Sequence, residues 1–137
     1  MAAAASQDPP ASSAFILQPA DYITREIGTF ATPSEGLRLA HVDPVGKDER
    51  CRRSGRTYLC GHYAWQSWNG LLATSALNCR RIAPSSERIS CTLADGTDLA
   101  AWLLRSGWAR AGSDAPDAYR QLEAEARAKA IGIFSNP

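Results

Sequence analysis

The sequence has almost no net charge and no long apolar run. Its 137 residues carry 15 basic and 14 acidic side chains, a formal charge of +1, so no strong overall field draws in nucleic acid. No apolar stretch reaches the ~20 residues that a membrane-spanning helix needs. Residues 1–6 lack the basic and apolar regions of an intact signal peptide, and they are compatible with the remnant of a removed one. The length and the 45% hydrophobic content favour one domain with a real core.

The sequence also lacks the Cys-x-x-Cys pairs of zinc ribbons and thioredoxin-type sites. Its four cysteines are separated by eight, eighteen and eleven residues. A metal site at Cys51, Cys60 and His62 is the weaker alternative, because a structural zinc site needs four convergent ligands and the chain has only two histidines. Two structural disulfides are the better interpretation.

Four cysteines allow three disulfide connectivities, of which we favour Cys51–Cys60 with Cys79–Cys91. The first bond closes a loop of about ten residues, worth on the order of 2–3 kcal/mol through the entropy of the unfolded chain. The second bond ties neighbouring strands of a predicted hairpin. Such bridges predict an oxidising location, either a periplasm or the cell exterior.

Turn signals and apolar spacing divide the chain into a tail and one domain. Residues 1–20, rich in Ala, Ser and Pro, are expected to form a flexible tail, with an extra strand at 15–17 as the alternative. In the domain, residues 21–137, we predict strands over 22–30, 36–42, 77–83 and 88–93, a polar loop over 44–56, and helices over 58–74, 98–103 and 115–130. Asp98 and Asp114 are the predicted N-caps of the last two helices. This order predicts an α+β fold, a five-stranded Greek-key barrel of the OB type with about three helices.

The most informative motif places an arginine and an aspartate five residues apart in an apolar strand, as Arg38 and Asp43. Cys51 and the run Tyr-Leu-Cys-Gly-His-Tyr-Ala at 58–64 follow it. Next come Asp-Leu at 98–99, Trp-Ala at 108–109, and a last helix that closes on Gly-Ile-Phe at 132–134. In this order and spacing, residues 27–134 resemble the staphylococcal-nuclease (thermonuclease) family, in particular its secreted bacterial branch with paired cysteines.

The resemblance implies a Ca²⁺-dependent phosphodiesterase in which carboxylates hold the metal, a glutamate orients water and two arginines neutralise the phosphate. Arg38 matches the first arginine, and Asp43 matches a metal carboxylate. The position of the other metal carboxylate is Gly28, and the position of the glutamate is Gly46. Arg88 is the candidate second arginine, because a shift of two residues from the expected position keeps the same strand face.

These two glycines predict that most phosphodiester hydrolysis is lost. Loss of a positioned general base forfeits ~10²–10⁴ in rate, and Asp43 alone holds Ca²⁺ poorly because hard cations need several oxygens. We therefore expect a thermonuclease-like binding or structural module of the cell envelope that needs no cofactor. Its partner at the barrel mouth around Arg38 would be an anionic ligand, nucleic acid or an envelope protein.

The alternative is a secreted Ca²⁺-dependent nuclease acting on DNA or RNA with an altered acid set, drawing on Asp43, Asp48 or Glu49. A third hypothesis is oligonucleotide binding without catalysis.

Each candidate also has a structural interpretation. Arg38 and Asp43 can form an ion pair, and His41 between them is more typical of a structural residue than of a catalytic one. The arginines at 50, 52, 53 and 56 are typical of a solvated loop as well as of a surface that grips an acidic polymer. Helical spacing favours core packing of the tryptophans over base stacking.

Overall fold

The computed structural model describes residues 13–135, which form short strands and three α-helices. The elements are β1 (Ala14–Leu17), β2 (Thr29–Ala31), β3 (Gly36–Leu39), β4 (Val42–Pro44), β5 (Cys51–Arg53), β6 (Arg56–Tyr58), α1 (Cys60–Leu72), β7 (Leu77–Arg81), β8 (Arg88–Leu93), α2 (Leu99–Arg105), β9 (Ala109–Ala111) and α3 (Asp117–Ala128). Short 3-10 turns occupy Pro19–Asp21 and Gly132–Phe134. The longest helix, α1, has 13 residues, and no helix in this range is both long and apolar enough to cross a membrane.

Five of the strands form one curled sheet in the order β1-β7-β8-β3-β2. Neighbouring strands are antiparallel except for β3 and β8, which run parallel. Over the described residues, β4 with β9 and β5 with β6 form two further pairs. The architecture is mixed α+β, as predicted, and the curled half-barrel sheet with its three helices is compatible with an OB-like fold.

The hydrophobic core lies between this sheet and the helices. β3, β7 and β8 alternate buried and exposed residues, so each strand turns one face to the core. Trp68 is fully buried, and its indole N–H donates to Thr24 Oγ1 at 2.9 Å, which satisfies the only polar group of the ring. Truncating such a side chain typically destabilises a domain by about 3–5 kcal/mol. The core role predicted for the tryptophans is confirmed for Trp68, and the other three are partly buried against the core.

Both disulfides join the predicted partners. Cys51 at the start of β5 is bonded to Cys60, the first residue of α1. Cys79 and Cys91 face each other directly across β7 and β8 and are almost fully buried. The first bond therefore fixes the base of the β5–β6 hairpin, and the second crosslinks the centre of the sheet.

The tail predicted over residues 1–20 is too long at its C-terminal end. β1 pairs with the outer edge of β7, with Phe15 opposite Cys79 and Leu17 opposite Leu77. Leu17 is buried and Phe15 packs against the core, so the segment gains both hydrogen bonds and apolar contact. The alternative of an extra strand at 15–17 is the one the chain adopts, and the rest of the predicted tail, residues 1–12, lies outside the described residues.

The predicted strand over residues 22–30 is regular only from Thr29, after an isolated bridge between Ile23 and Ala31. Thr29 Oγ1 donates to the carbonyl oxygen of Glu26 at 2.8 Å, and Gly28 has a φ of +85°. These local features turn the chain where apolar content predicts extended backbone.

The polar loop predicted over residues 44–56 contains the hairpin β5–β6. Its two turn residues, Ser54 and Gly55, have φ values of 53° and 79°, as a type I′ hairpin turn requires. The strands escape prediction because their side chains are charged and exposed on both faces, so they show no apolar alternation.

The predicted cap of α2 is confirmed, whereas that of α3 is wrong. Asp98 precedes α2 and its Oδ1 accepts from the backbone N–H of Ala101 at 3.1 Å. α3 begins at Asp117 with Pro116 before it, and Asp114 lies outside the helix. The carboxylate of Asp114 is instead bound by Arg88 of β8, because a charged partner outcompetes a backbone N–H.

Candidate functional site

Arg38 and Arg88 are brought side by side by the parallel pairing of β3 and β8. The two residues are direct partners in the register. The backbone N–H of Arg38 donates to Glu87 O at 3.0 Å, and that of Ala40 donates to Ile89 O at 2.8 Å. These two hydrogen bonds hold β3 against β8 at the arginine pair. Leu39 and Ile89 are buried, which leaves both arginines on the outer face, on strands ~4.8 Å apart.

Beside this pair lies an open cavity of about 410 Å³ with a mainly polar lining. It brings together all three charged residues that the sequence indicated, Arg38, Asp43 and Arg88. Asp43 is exposed on β4, opposite Arg110 of β9. The lining also includes two residues to which the sequence assigned no part in the site, His41 and Asp114.

Asp114 is the residue that sequence reasoning missed. Arg88 Nη2 donates to Asp114 Oδ2 at 2.6 Å, and this hydrogen bond lowers the pKa of the Asp114 carboxyl. The loop before α3 is held in place by Arg120, which donates to the carbonyl oxygens of Ser113 and Ala115. Pro116 was the sequence signal for this arrangement, because proline favours the first position of a helix. A helix that begins at or just after Pro116 leaves Asp114 outside it, so the Asp114 side chain is available for other contacts.

His41 closes one side of the cavity in a strained conformation. Its φ is +71°, in the left-handed region that non-glycine residues seldom adopt. Its carbonyl oxygen accepts from Gly112 N at 2.8 Å, and a Cβ on Gly112 would approach the same carbonyl group to 3.2 Å. The buried Nδ1 lies 3.4 Å from Asp114 Oδ2, and it forms no well-aligned hydrogen bond. These contacts fit the structural role expected for His41.

Gly28 and Gly46, where the resemblance expects acidic residues, differ sharply in their surroundings. Gly28 has positive φ, its carbonyl oxygen accepts from Leu39 N at 2.8 Å, and a Cβ there would lie 2.7 Å from Pro44 Cγ. Gly46 has open space around its missing side chain and an ordinary backbone conformation. The backbone around residue 28 is therefore built for glycine, while residue 46 would accept a side chain.

The carboxylates near the arginines are few. Asp43 and Asp114 line the cavity, whereas Asp48 and Glu49, which the sequence left open as replacement acids, do not. Within residues 13–135, no three His, Cys, Asp or Glu side chains converge as a metal-binding group. Ca²⁺ takes six to eight oxygen ligands, so two carboxylates alone fit it poorly.

The cavity has two arginines and two carboxylates, but only one of the two arginines is in an ion pair with a described residue. Asp114 neutralises Arg88. Arg38 makes no ion pair with any described residue, and it is exposed. The arrangement can therefore receive an anion on Arg38, with Arg88 available if the anion takes the place of Asp114.

A scan of the sequence against protein-family models gives no match, and neither does a search of the curated proteins.

Proposed function

We propose that this protein is a thermonuclease-like domain, with an OB-type barrel, that binds a phosphate-bearing anion at Arg38 and Arg88 and has lost most metal-dependent hydrolysis. The two disulfides favour an oxidising location, for which we propose the periplasm or the cell exterior. The observation that carries the proposal is the pairing of Arg38 with Arg88 at one cavity. Gly28, the position where the resemblance expects a metal carboxylate, is closed to a side chain.

Two guanidinium groups on adjacent strands suit a phosphate because each presents a planar fork of N–H donors. The parallel register holds the arginines at the same height on the sheet, so one anion can contact both. The contact with Asp114 keeps Arg88 ordered before a ligand arrives. An incoming anion then replaces the carboxylate on Arg88 and binds Arg38 directly.

Hydrolysis needs more than this binding site supplies. The phosphate can be neutralised by arginines, but water must also be activated and the metal held. The positions that the resemblance assigns to those tasks are Gly28 and Gly46, and Asp43 is the acid left from that set. Loss of the base alone reduces rates by ~10²–10⁴.

Titration calorimetry with inorganic phosphate and with a dinucleotide tests the binding proposal. Arg38→Ala should abolish measurable binding, and Arg88→Ala should weaken it. The matched control is Arg105→Ala, which removes an exposed arginine at the end of α2. Unchanged affinity in Arg38→Ala, or equal losses in Arg38→Ala and Arg105→Ala, would refute the proposed site.

A second candidate function is a working Ca²⁺-dependent nuclease with an altered acid set. The observation that favours it is the presence of Asp43 and Asp114 in the same cavity as both arginines. It predicts hydrolysis of denatured DNA that requires Ca²⁺, stops with EDTA, and disappears in both Asp43→Asn and Arg38→Ala. Absence of Ca²⁺ uptake at millimolar metal, measured by calorimetry, would exclude it.

A further inference from the structure

The hairpin β5–β6 is a projecting ribbon of positive charge. Residues 52–57 are exposed without interruption, and since successive residues of a strand point to opposite faces, both faces of the ribbon meet solvent. Exposed arginines stand at 50, 52, 53 and 56. Five cations and two carboxylates lie between residues 47 and 63, a local charge of +3 in a chain of net charge +1, so the remaining residues carry −2. The segment from residue 47 to residue 63 is thus a local excess of positive charge.

The ribbon is held rigidly at its base. The Cys51–Cys60 disulfide joins β5 to the start of α1. The Tyr58 hydroxyl lies 3.2 Å from both Gly132 O and Ser135 Oγ, and Ser135 Oγ donates to the backbone oxygen of Arg52 at 3.1 Å. These contacts fix the arginines relative to the body of the domain, so they act as one surface.

Apolar and aromatic side chains lie at the same end of the molecule. Leu59 and Tyr63 are 47% and 55% exposed. Tyr63 also lines a cleft of about 470 Å³, together with Arg53, Tyr58 and Trp108. This cleft shares no lining residue with the cavity of Arg38 and Arg88.

We propose that this end of the molecule, defined by the β5–β6 arginines with Leu59 and Tyr63, binds the surface of a membrane that contains anionic phospholipid. Arginines near such a surface are attracted to its negative potential, and tyrosine and tryptophan favour the headgroup level. An exposed aliphatic side chain such as Leu59 gains by entering the acyl boundary, whereas it gains little against the phosphates of a nucleic acid. In binding at a membrane surface, the burial of apolar area and the attraction to anionic lipid add to one another. The site is independent of anion binding at Arg38.

Cosedimentation of the full chain with vesicles tests this proposal. Vesicles of phosphatidylcholine alone should not bind, while those with about one-third phosphatidylglycerol should bind, and 0.5 M NaCl should reverse most of that binding. One cation near an acidic surface is worth about fivefold in partitioning. Arg52→Glu/Arg56→Glu should therefore lower vesicle binding by more than tenfold. The control Arg25→Glu/Arg105→Glu makes the same change in net charge at other exposed positions, and it should lower vesicle binding less than threefold.

The apolar part of the surface has its own test. Leu59→Ser/Tyr63→Ser should weaken vesicle binding severalfold while leaving its salt dependence unchanged, because no charge is altered. Ile23→Ser, at another exposed apolar residue, is the matched control. Three results would each overturn the proposal. The first is equal binding to neutral and anionic vesicles, and the second is an equal loss in the hairpin and control variants. The third is binding of a single-stranded oligonucleotide through the arginines without any vesicle binding. Vesicle binding retained in Arg38→Ala would show that this surface stands even if the anion site fails.

Discussion

Gly28→Asp, which would place a carboxylate where the thermonuclease resemblance expects a metal ligand, should destabilise the domain severely. A residue with a Cβ in the left-handed region costs about 1–2 kcal/mol, with aspartate at the lower end. The new Cβ would also lie 2.7 Å from Pro44 Cγ, and relieving such overpacking typically costs about 1–3 kcal/mol. Because the Gly28 carbonyl accepts from Leu39 N, the backbone cannot rotate away without losing that hydrogen bond.

The expected total is a loss of about 2–4 kcal/mol in the free energy of unfolding, measured by urea denaturation. For a domain of this size, the melting temperature should fall by about 8–15 °C. Gly28→Ala should show most of the same loss, since the strain and the contact both arise from the Cβ. Gly46→Glu, at the open position, should change stability by less than about 0.5 kcal/mol.

Pro44→Ala separates the two contributions. In a double-mutant cycle, it should recover the steric part of the Gly28→Asp loss and leave the backbone strain. If Gly28→Asp is as stable as the unchanged chain, or if the two substitutions are strictly additive, the steric reasoning about position 28 is wrong. A stable Gly28→Asp/Gly46→Glu chain that hydrolyses DNA with Ca²⁺ would likewise contradict the reasoning that position 28 is closed to a side chain.

Three further outcomes follow from the same contacts. Asp114→Asn should tighten phosphate binding by about three- to tenfold in calorimetry at low salt, because Arg88 no longer has a competing carboxylate, and unchanged affinity would contradict this. Tyr119→Phe should cost about 1–2 kcal/mol in denaturant unfolding, because the Tyr119 hydroxyl donates to Asp98 Oδ2 at 2.5 Å, and an Asp98→Ala background should remove most of that effect. For Glu123, burial raises the pKa, but hydrogen bonds from the Ala111 backbone and from Arg127 outweigh it, so the folded-state pKa lies below the unfolded one. The stabilisation from Glu123 is complete above the unfolded pKa of about 4.3, and it is lost as pH falls through the folded pKa. Glu123→Gln should therefore flatten the decline of melting temperature in that pH window. An unaltered slope would contradict the assigned role of Glu123.

The candidate site is predictable from the sequence where strand periodicity governs it. Arg88 lies two positions from the expected arginine, and the two-residue period of a strand keeps it on the face that carries Arg38. The disulfide pairing could also be predicted from the sequence, because each bond joins cysteines that are close in sequence. Both inferences rest on local geometry that a pattern of residues can encode.

The parts that escaped prediction depend on contacts between distant segments. Asp114 precedes a helix, as a cap would, but its partner Arg88 lies 26 residues away. The positive φ of Gly28 is fixed by the surrounding hydrogen bonds and the nearby Pro44, neither of which the local sequence reveals. The hairpin β5–β6 has a Ser-Gly turn that signals its type, but strands made of charged residues lack the alternation that normally marks a strand.

The parallel contact between β3 and β8 has a consequence for how the protein matures. Arg38 and Arg88 are fifty positions apart, and the hairpin, α1 and β7 all belong to the intervening chain. Closing so long a loop is entropically unfavourable, so short-range structure within it can form before the two arginines meet. The proposed anion site therefore needs two segments that are distant in sequence, and a truncated product that ends before residue 88 would carry Arg38 without its partner.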